Sequence, residues 1–210
     1  MKETLEIRWH GRAGQGVVTA AVTLADVLSS EKGTYVQAFP EFGAEKRGAP
    51  ILAFNRLSQK PIRTHSQVYY PDIVVVTDPS LLGLVDVSEG AKDDAVFLMN
   101  TTFSIPLIRE RLSLGPRKIY ALDAYTIARD ELGRAIPNVP MIAALVKVLN
   151  LMDLNKFKEK IKISLAKKLR PEVVEMNLRT IDSKVSMMGS PSASNGANTA
   201  IRVATFEELW

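Results

Sequence analysis

"LEIRWHGRAGQGVVTAAVTLADVLSS", Leu5 to Ser30, decides the fold class. Its first six residues, Leu5 to His10, alternate apolar and polar, the pattern of a strand with one buried face. From Val17 onward apolar residues recur at a helical period among small ones, and Gly33 stops the helix. "TYVQAF" (34–39) then reads as a second strand. Between the first strand and the helix stand three glycines, Gly11, Gly14 and Gly16, spaced G-x-x-G-x-G. A β-loop-α-β opening with glycines at the turn is where α/β proteins often hold phosphate.

The same alternation continues down the chain. "DIVVVTD" (72–78), "AVFLMN" (95–100) and "KIYALDA" (118–124) are near-continuous apolar runs, as expected of central parallel strands buried on both faces. A short helix around "PSLLGLV" and helices over 105–112, 125–132, 141–150, 154–168 and 171–187 separate or follow them. "ILAFNRL" (51–57) and "PIRTHS" (61–66) read as a hairpin across "SQK". The expected fold is therefore α/β, a Rossmann-like three-layer sandwich with a mostly parallel sheet and helices on both faces. Residues 1–186 form this domain. The extension 187–210 begins with the Ser-, Gly- and Asn-rich "MMGSPSASNGANTA" and turns apolar in "IRVATFEELW" (201–210). It is expected to dock on a partner subunit, by strand addition, with folding back onto its own domain as the alternative.

Composition removes several classes of function. With 46% hydrophobic and 24% charged residues, the chain is composed like a soluble globular protein. It contains no run of eighteen apolar residues, so no membrane span is expected. "MKETLEIRWHG" lacks a secretory apolar stretch, and a cytoplasmic location is the expectation. There is no cysteine, which excludes disulfides and thiolate-held iron–sulfur clusters within the chain. Only His10 and His65 are present, too few for a histidine-rich metal site, and both are expected to be structural. The net charge of +4 is mild. Its densest basic stretch, "KFKEKIKISLAKKLR" (156–170), reads as an amphipathic helix with Phe157, Ile161 and Leu165 inward and lysines in water. No nucleic-acid surface is expected.

The glycine loop can still bind an anion. The helix after it offers free N–H groups and a positive dipole end, Arg12 adds a charged donor and Gln15 a neutral one. A dinucleotide site would also want an acid near the end of the second strand, where this chain reads Tyr35-Val36-Gln37-Ala38-Phe39. Glycine spacing and the missing acid both argue against NAD. A glycine turn serving only strand–helix packing stays open as the plainer reading. The second loop, "FPEFGAEKRGAP" (39–50), follows the second strand and should rise on the same sheet edge, with Glu41, Glu45, Lys46 and Arg47 rimming a crevice and Gly43 and Gly48 permitting unusual backbone. No nucleophile elbow, P-loop lysine or metal constellation is present, and no catalytic or metal-binding residue is assigned. The chain reads as a binding subunit, not a complete catalyst.

"EIRWHGRAGQGVVTAA" and "YVQAFPEFGAEKRGAPILAFNRL" together resemble the gamma subunits of the 2-oxoacid:acceptor oxidoreductases, the pyruvate:ferredoxin oxidoreductase (pyruvate synthase) family. The similarity continues through "DIVVVTDPSLL", "LMNTT" and "RAIPNVPMIAALVKV", roughly residues 4–185. The second loop is similar to the pyruvate or 2-oxoisovalerate branch, and an atypical member such as an oxalate oxidoreductase stays open. The resemblance implies a cytoplasmic hetero-oligomer with alpha, beta and delta subunits. Thiamine diphosphate and Mg2+ would sit in the alpha and beta subunits, and [4Fe–4S] clusters in delta. The implied reaction converts pyruvate, coenzyme A and oxidised ferredoxin to acetyl-CoA, CO2 and reduced ferredoxin (EC 1.2.7.1 or a close relative), and this chain alone would not catalyse it. It further implies coenzyme A as the ligand of the crevice, carried to Gly11, Arg12, Gly14, Gln15 and Gly16 in the first loop and Arg47 and Gly48 in the second. Packing of these loops against alpha and beta without touching ligand is the alternative.

Overall fold

The structure is a computed structural model that describes residues 4–41, 47–182 and 188–189. Seven strands form one sheet: β1 (Thr4–Arg12), β2 (Tyr35–Pro40), β3 (Pro50–Ser58), β4 (Ile73–Val76), β5 (Val96–Asn100), β6 (Lys118–Leu122) and the two-residue β7 (Met188–Gly189). Their order across the sheet is β2-β3-β1-β4-β5-β6-β7. β1, β4, β5 and β6 run parallel, β3 lies antiparallel to both β1 and β2, and β7 is antiparallel to β6. The helices are α1 (Val17–Leu28), α2 (Ile105–Arg111), α3 (Ala124–Leu132), α4 (Asn138–Val148), α5 (Leu154–Ala166) and α6 (Pro171–Asp182).

The pleat of β1 sorts its residues between two cores. Leu5, Ile7 and Trp9 face the larger core beneath α1, α4, α5 and α6. β4 and β5 are buried on both sides, so Val75 and Leu98 join that core while Val74, Val76, Phe97 and Met99 join a smaller one with Ile108 of α2. This explains why their sequences read as unbroken apolar runs. α5 is amphipathic as expected: Phe157 and Ile161 are fully buried and Leu165 packs at the edge of the core. Its lysines turn outward, Lys156 and Lys160 to Glu31 at 2.7 and 3.0 Å and Lys162 to Glu175 at 2.7 Å.

Buried polar side chains fix elements to the sheet. Asn55 of β3 accepts from the Trp9 indole at 2.8 Å and donates to the Ala21 carbonyl of α1 at 2.9 Å, which ties the helix to two strands at once. On the opposite face Arg56 donates to Glu6 and to the Ser66 and Gln67 carbonyls, at 2.8, 2.7 and 3.1 Å. Arg8 does the same for the Val87 and Glu89 carbonyls. Irregular segments thereby stay pinned over the sheet without regular structure of their own.

Two expectations about elements need correction. Residues 61–66 form no strand. β3 is already paired on both edges, by β1 and by β2, so it has no free edge to offer a hairpin partner. The hairpin runs instead from β2 to β3 across residues 41–49. Helix α4 begins at Asn138, three residues earlier than its apolar period implied, because Pro140 falls in the first turn, where no backbone donor is needed. In the extension, Met188–Gly189 pair with Tyr120 and Ala121 of the chain's own sheet. Residues 190–210, on which the expected docking rests, lie outside the described residues.

Candidate functional site

The connection from β1 leaves through α1 toward β2, whereas β4 continues to β5 on the other side of β1. The chain therefore diverges between the carboxyl ends of β1 and β4, the place where open α/β sheets form a ligand crevice. The loop 12–16 rises from β1 and residues 77–80 rise from β4. The edge is knitted together from below: Thr77 donates its N–H to the His10 carbonyl at 2.9 Å and its hydroxyl to the same oxygen at 3.1 Å. Asn100 donates to the Thr77 carbonyl at 2.8 Å and accepts from Ala124 N at 2.9 Å, joining the ends of β4 and β5 to the start of α3.

The second loop reaches the same place. Ala13 N donates to the Ala49 carbonyl at 2.9 Å, and Gly48 N donates to the Ala13 carbonyl at 3.0 Å. Arg12 closes the ring, with Nη1 on the Gly48 carbonyl at 2.8 Å and Nε on the Ser80 hydroxyl at 2.9 Å. Gly11, Arg12, Gly14, Gln15, Gly16, Arg47 and Gly48 thus gather at one sheet edge. Of the other rim residues, Glu41 is described, while Gly43, Glu45 and Lys46 lie outside the described residues.

The glycines divide by what surrounds them. A Cβ on Gly11 would sit 2.2 Å from Val17 Cγ2 and 2.5 Å from Thr77 Oγ1, so its smallness serves strand–helix packing. Gly16, at φ +80°, ends the loop in the left-handed region, and its would-be Cβ lies 2.5 Å from Asn138 Nδ2. Around Gly14 and Gly48 space is open: the nearest atom to a Cβ on Gly14 is Arg47 Cγ at 3.9 Å, and none lies within 4 Å at Gly48. Close packing accounts for the missing side chain at Gly11 and the positive φ for glycine at Gly16, and the open side of the crevice is at Gly14 and Gly48. Gly16 gives α1 no side-chain cap, which leaves the helix start without one.

Asp78, read from sequence only as the end of a strand, is the hub of this edge. Its carboxylate accepts from Gln15 Nε2 at 2.7 Å and Ser80 N at 2.8 Å, and Arg12 Nε lies 3.6 Å away. The Tyr125 phenol lies near enough to feel its charge. Burial pushes the Asp78 carboxyl up, but the Ser80 and Gln15 hydrogen bonds and the Arg12 charge outweigh it, and the group stays ionised below the usual carboxylate range. Burial, then the Asp78 charge, push the Tyr125 phenol up to about 12, so it remains a neutral donor. The signal for Asp78 was an Asp-Pro-Ser sequence directly after an apolar strand, the signature of a capped turn. Asn138, with a buried and unpaired Oδ1, was also missed.

His10 does not join the crevice. It is buried on the face opposite α1, its Nε2 accepts from Arg8 Nε at 3.1 Å, and burial followed by the Arg8 charge lowers its pKa to about 3. A second concavity of about 470 Å³ opens beside α1, walled by Ile136, Val139, Leu165, Val173 and Met176 with Arg134 at its edge. It touches the glycine loop's neighbour Asn138 but lies on the helical side. Among the described residues no three His, Asp or Glu side chains cluster to hold a metal ion, and no helix is long and apolar enough to cross a membrane.

A profile of the family "POR: Pyruvate ferredoxin/flavodoxin oxidoreductase" matches residues 6–186. The chain is 48% identical over 158 residues to the Pyrococcus furiosus "Pyruvate/ketoisovalerate oxidoreductases common subunit gamma", spanning 75% of this chain and 85% of that one. It is 44% identical over 180 residues to the Thermotoga maritima "Pyruvate synthase subunit PorC", spanning 86% and 92%. The crystal structure of the Thermotoga maritima pyruvate oxidoreductase subunit PORC (EC 1.2.7.1) superposes with a TM-score of 0.75 at 40% identity, covering 89% of this chain and 99% of that one. A 2-oxoglutarate:ferredoxin oxidoreductase from Magnetococcus marinus shares the fold, with a TM-score of 0.67 at 21% identity over 87% of this chain and 30% of that one. The chain belongs to the pyruvate ferredoxin/flavodoxin oxidoreductase family, as a gamma-type subunit.

Proposed function

We propose that this chain is the gamma subunit of a thiamine-diphosphate- and iron–sulfur-dependent pyruvate:ferredoxin oxidoreductase, and that its crevice holds the phosphates of coenzyme A. The observation that carries this reading is the ring formed by Arg12, Gly48 and Ser80 around an open glycine edge, beside a helix start with no side-chain cap. Phosphate there meets a guanidinium held by two hydrogen bonds and the positive end of α1. Gly14 and Gly48 let a ligand approach the backbone closely. The Magnetococcus marinus enzyme was solved with coenzyme A bound, which makes coenzyme A the ligand to test first.

Oxoacid cleavage and electron transfer belong to alpha, beta and delta partners in this reading. Thiamine diphosphate would supply carbanion stabilisation there, and iron–sulfur clusters a route for electrons to ferredoxin. This chain fits neither group, because it has no cysteine for a cluster and no thiamine-diphosphate motif. Its contribution is to bind and orient the acyl acceptor. Beyond Met188–Gly189, which pair with this chain's own sheet, the extension is assigned to a partner subunit, and deletion of 188–210 should weaken assembly of the complex; unchanged assembly would contradict this.

The test of the crevice is Arg12→Ala in the assembled complex, with 2-oxoacid-dependent viologen reduction as the assay. Removal of one charge-assisted contact, worth about 1.5–3 kcal/mol, raises the KM for coenzyme A roughly 10- to 100-fold with assembly intact. A second reading, a subunit that only assembles, is favoured by the apolar cavity and by the exposure of Ile136 and Leu169 on its wall. An unchanged KM together with a broken complex would favour it.

A further inference from the structure

Asp78 is the point where three elements of the crevice meet. Its side chain is 8% exposed, against 25% for Arg12. Oδ1 accepts from Ser80 N, capping the short 3₁₀ turn Pro79–Leu81, while Oδ2 faces Gln15 Nε2 and Arg12 Nε. The two carboxylate oxygens therefore have separate tasks. One holds the turn after β4, and the other faces the donors of Arg12, at the end of β1, and Gln15, in the loop after it.

A carboxylate beside an anion site is unfavourable for the anion in itself. The geometry resolves this, because the charge is turned inward. The contacts of Arg12 with Asp78, Ser80 and Gly48 use Nε and Nη1 and fix the plane of the guanidinium, and none of them engages Nη2. Gln15 is held likewise through one hydrogen of Nε2, which leaves the second for a ligand. Donors fixed before the ligand arrives lose less side-chain entropy on binding it.

We propose that Asp78 is the positioning residue of the crevice: it orients Arg12 and Gln15 for a phosphate-bearing ligand and does not touch the ligand itself. This rests on the reading of the crevice as a coenzyme A site, and the experiment separates the two claims. Asparagine caps as well as aspartate, so Asp78→Asn retains the acceptor for Ser80 N. At the other oxygen it substitutes an amide donor facing the donors of Gln15 and Arg12. Orientation is lost while the turn is kept.

The measurement uses the assembled complex and coenzyme A as the probe. Asp78→Asn raises the KM for coenzyme A roughly tenfold, with kcat at saturating coenzyme A and the KM for the oxoacid within about twofold of wild type. Asp78→Glu, which restores the charge on a longer arm, lies between the two. In an Arg12→Ala/Gln15→Ala background, Asp78→Asn adds less than about twofold, because its effect passes through those side chains. Should Asp78→Asn fail to assemble, Asp78→Glu carries the test with a raised KM at unchanged kcat.

The proposal is overturned if Asp78→Asn, or Asp78→Glu in its place, leaves or lowers the KM while Arg12→Ala/Gln15→Ala raises it. It is also overturned if the Asp78→Asn effect is undiminished in the double-alanine background. If Arg12→Ala/Gln15→Ala itself leaves the KM for coenzyme A unchanged, the coenzyme A reading fails and the positioning role falls with it.

Discussion

Gly16→Ala probes the closure between the glycine loop and α4. The residue sits at φ +80°, where an alanine costs about 1–2 kcal/mol. Its Cβ would also lie 2.5 Å from Asn138 Nδ2, inside contact distance, so the amide must swing away. Forcing that side chain off its rotamer costs about 0.5–1.5 kcal/mol. The two effects give a destabilisation of about 1.5–3.5 kcal/mol, or a Tm lower by roughly 3–14 °C for a chain of this size. Thermal unfolding followed by circular dichroism measures it. The double variant Gly16→Ala/Asn138→Ala relieves the collision and retains the backbone strain, so its loss falls short of the summed single losses by about 1 kcal/mol. A Gly16→Ala protein within about 0.5 kcal/mol of wild type would refute the backbone argument, and strict additivity would refute the contact.

Two more expectations concern the scaffold beneath the site. Asn55→Leu leaves the Trp9 N–H without a partner in the core, removes the tie to the Ala21 carbonyl, and lowers stability by about 1–3 kcal/mol, read from urea midpoints. His10, at about 3 when folded against 6.5 for a free imidazole, binds its proton more weakly folded than unfolded. Its neutral form contributes fully above about pH 6.5, and stability declines as pH falls below that value, by about 2 kcal/mol at pH 5. His10→Gln removes this part of the slope between pH 7 and 5; equal slopes in the two proteins would contradict the burial argument.

The opening β-loop-α-β unit was legible because β1 buries one face and α1 one stripe, and each imprints its own period on the residues. β4 and β5 were legible for the opposite reason, since burial on both faces leaves no polar positions. Pairing was not legible. The assignment of 61–66 to a hairpin failed because local pattern does not disclose that β3 already has neighbours on both edges. Gathering of the two loops at one sheet edge followed from β2 running parallel to β1. Asp78 escaped notice for a related reason: its role depends on β4 lying next to β1, a contact between residues about seventy positions apart in the chain.

The most direct measurement is hydrogen–deuterium exchange of the assembled complex with and without coenzyme A, read on peptides spanning residues 9–20 and 47–56 of this chain. The account predicts that coenzyme A slows exchange at the loop 12–16, at the first turn of α1 and at Gly48, and that Arg12→Ala abolishes the effect. Protection confined to partner subunits, with these peptides unchanged at saturating coenzyme A, would contradict it.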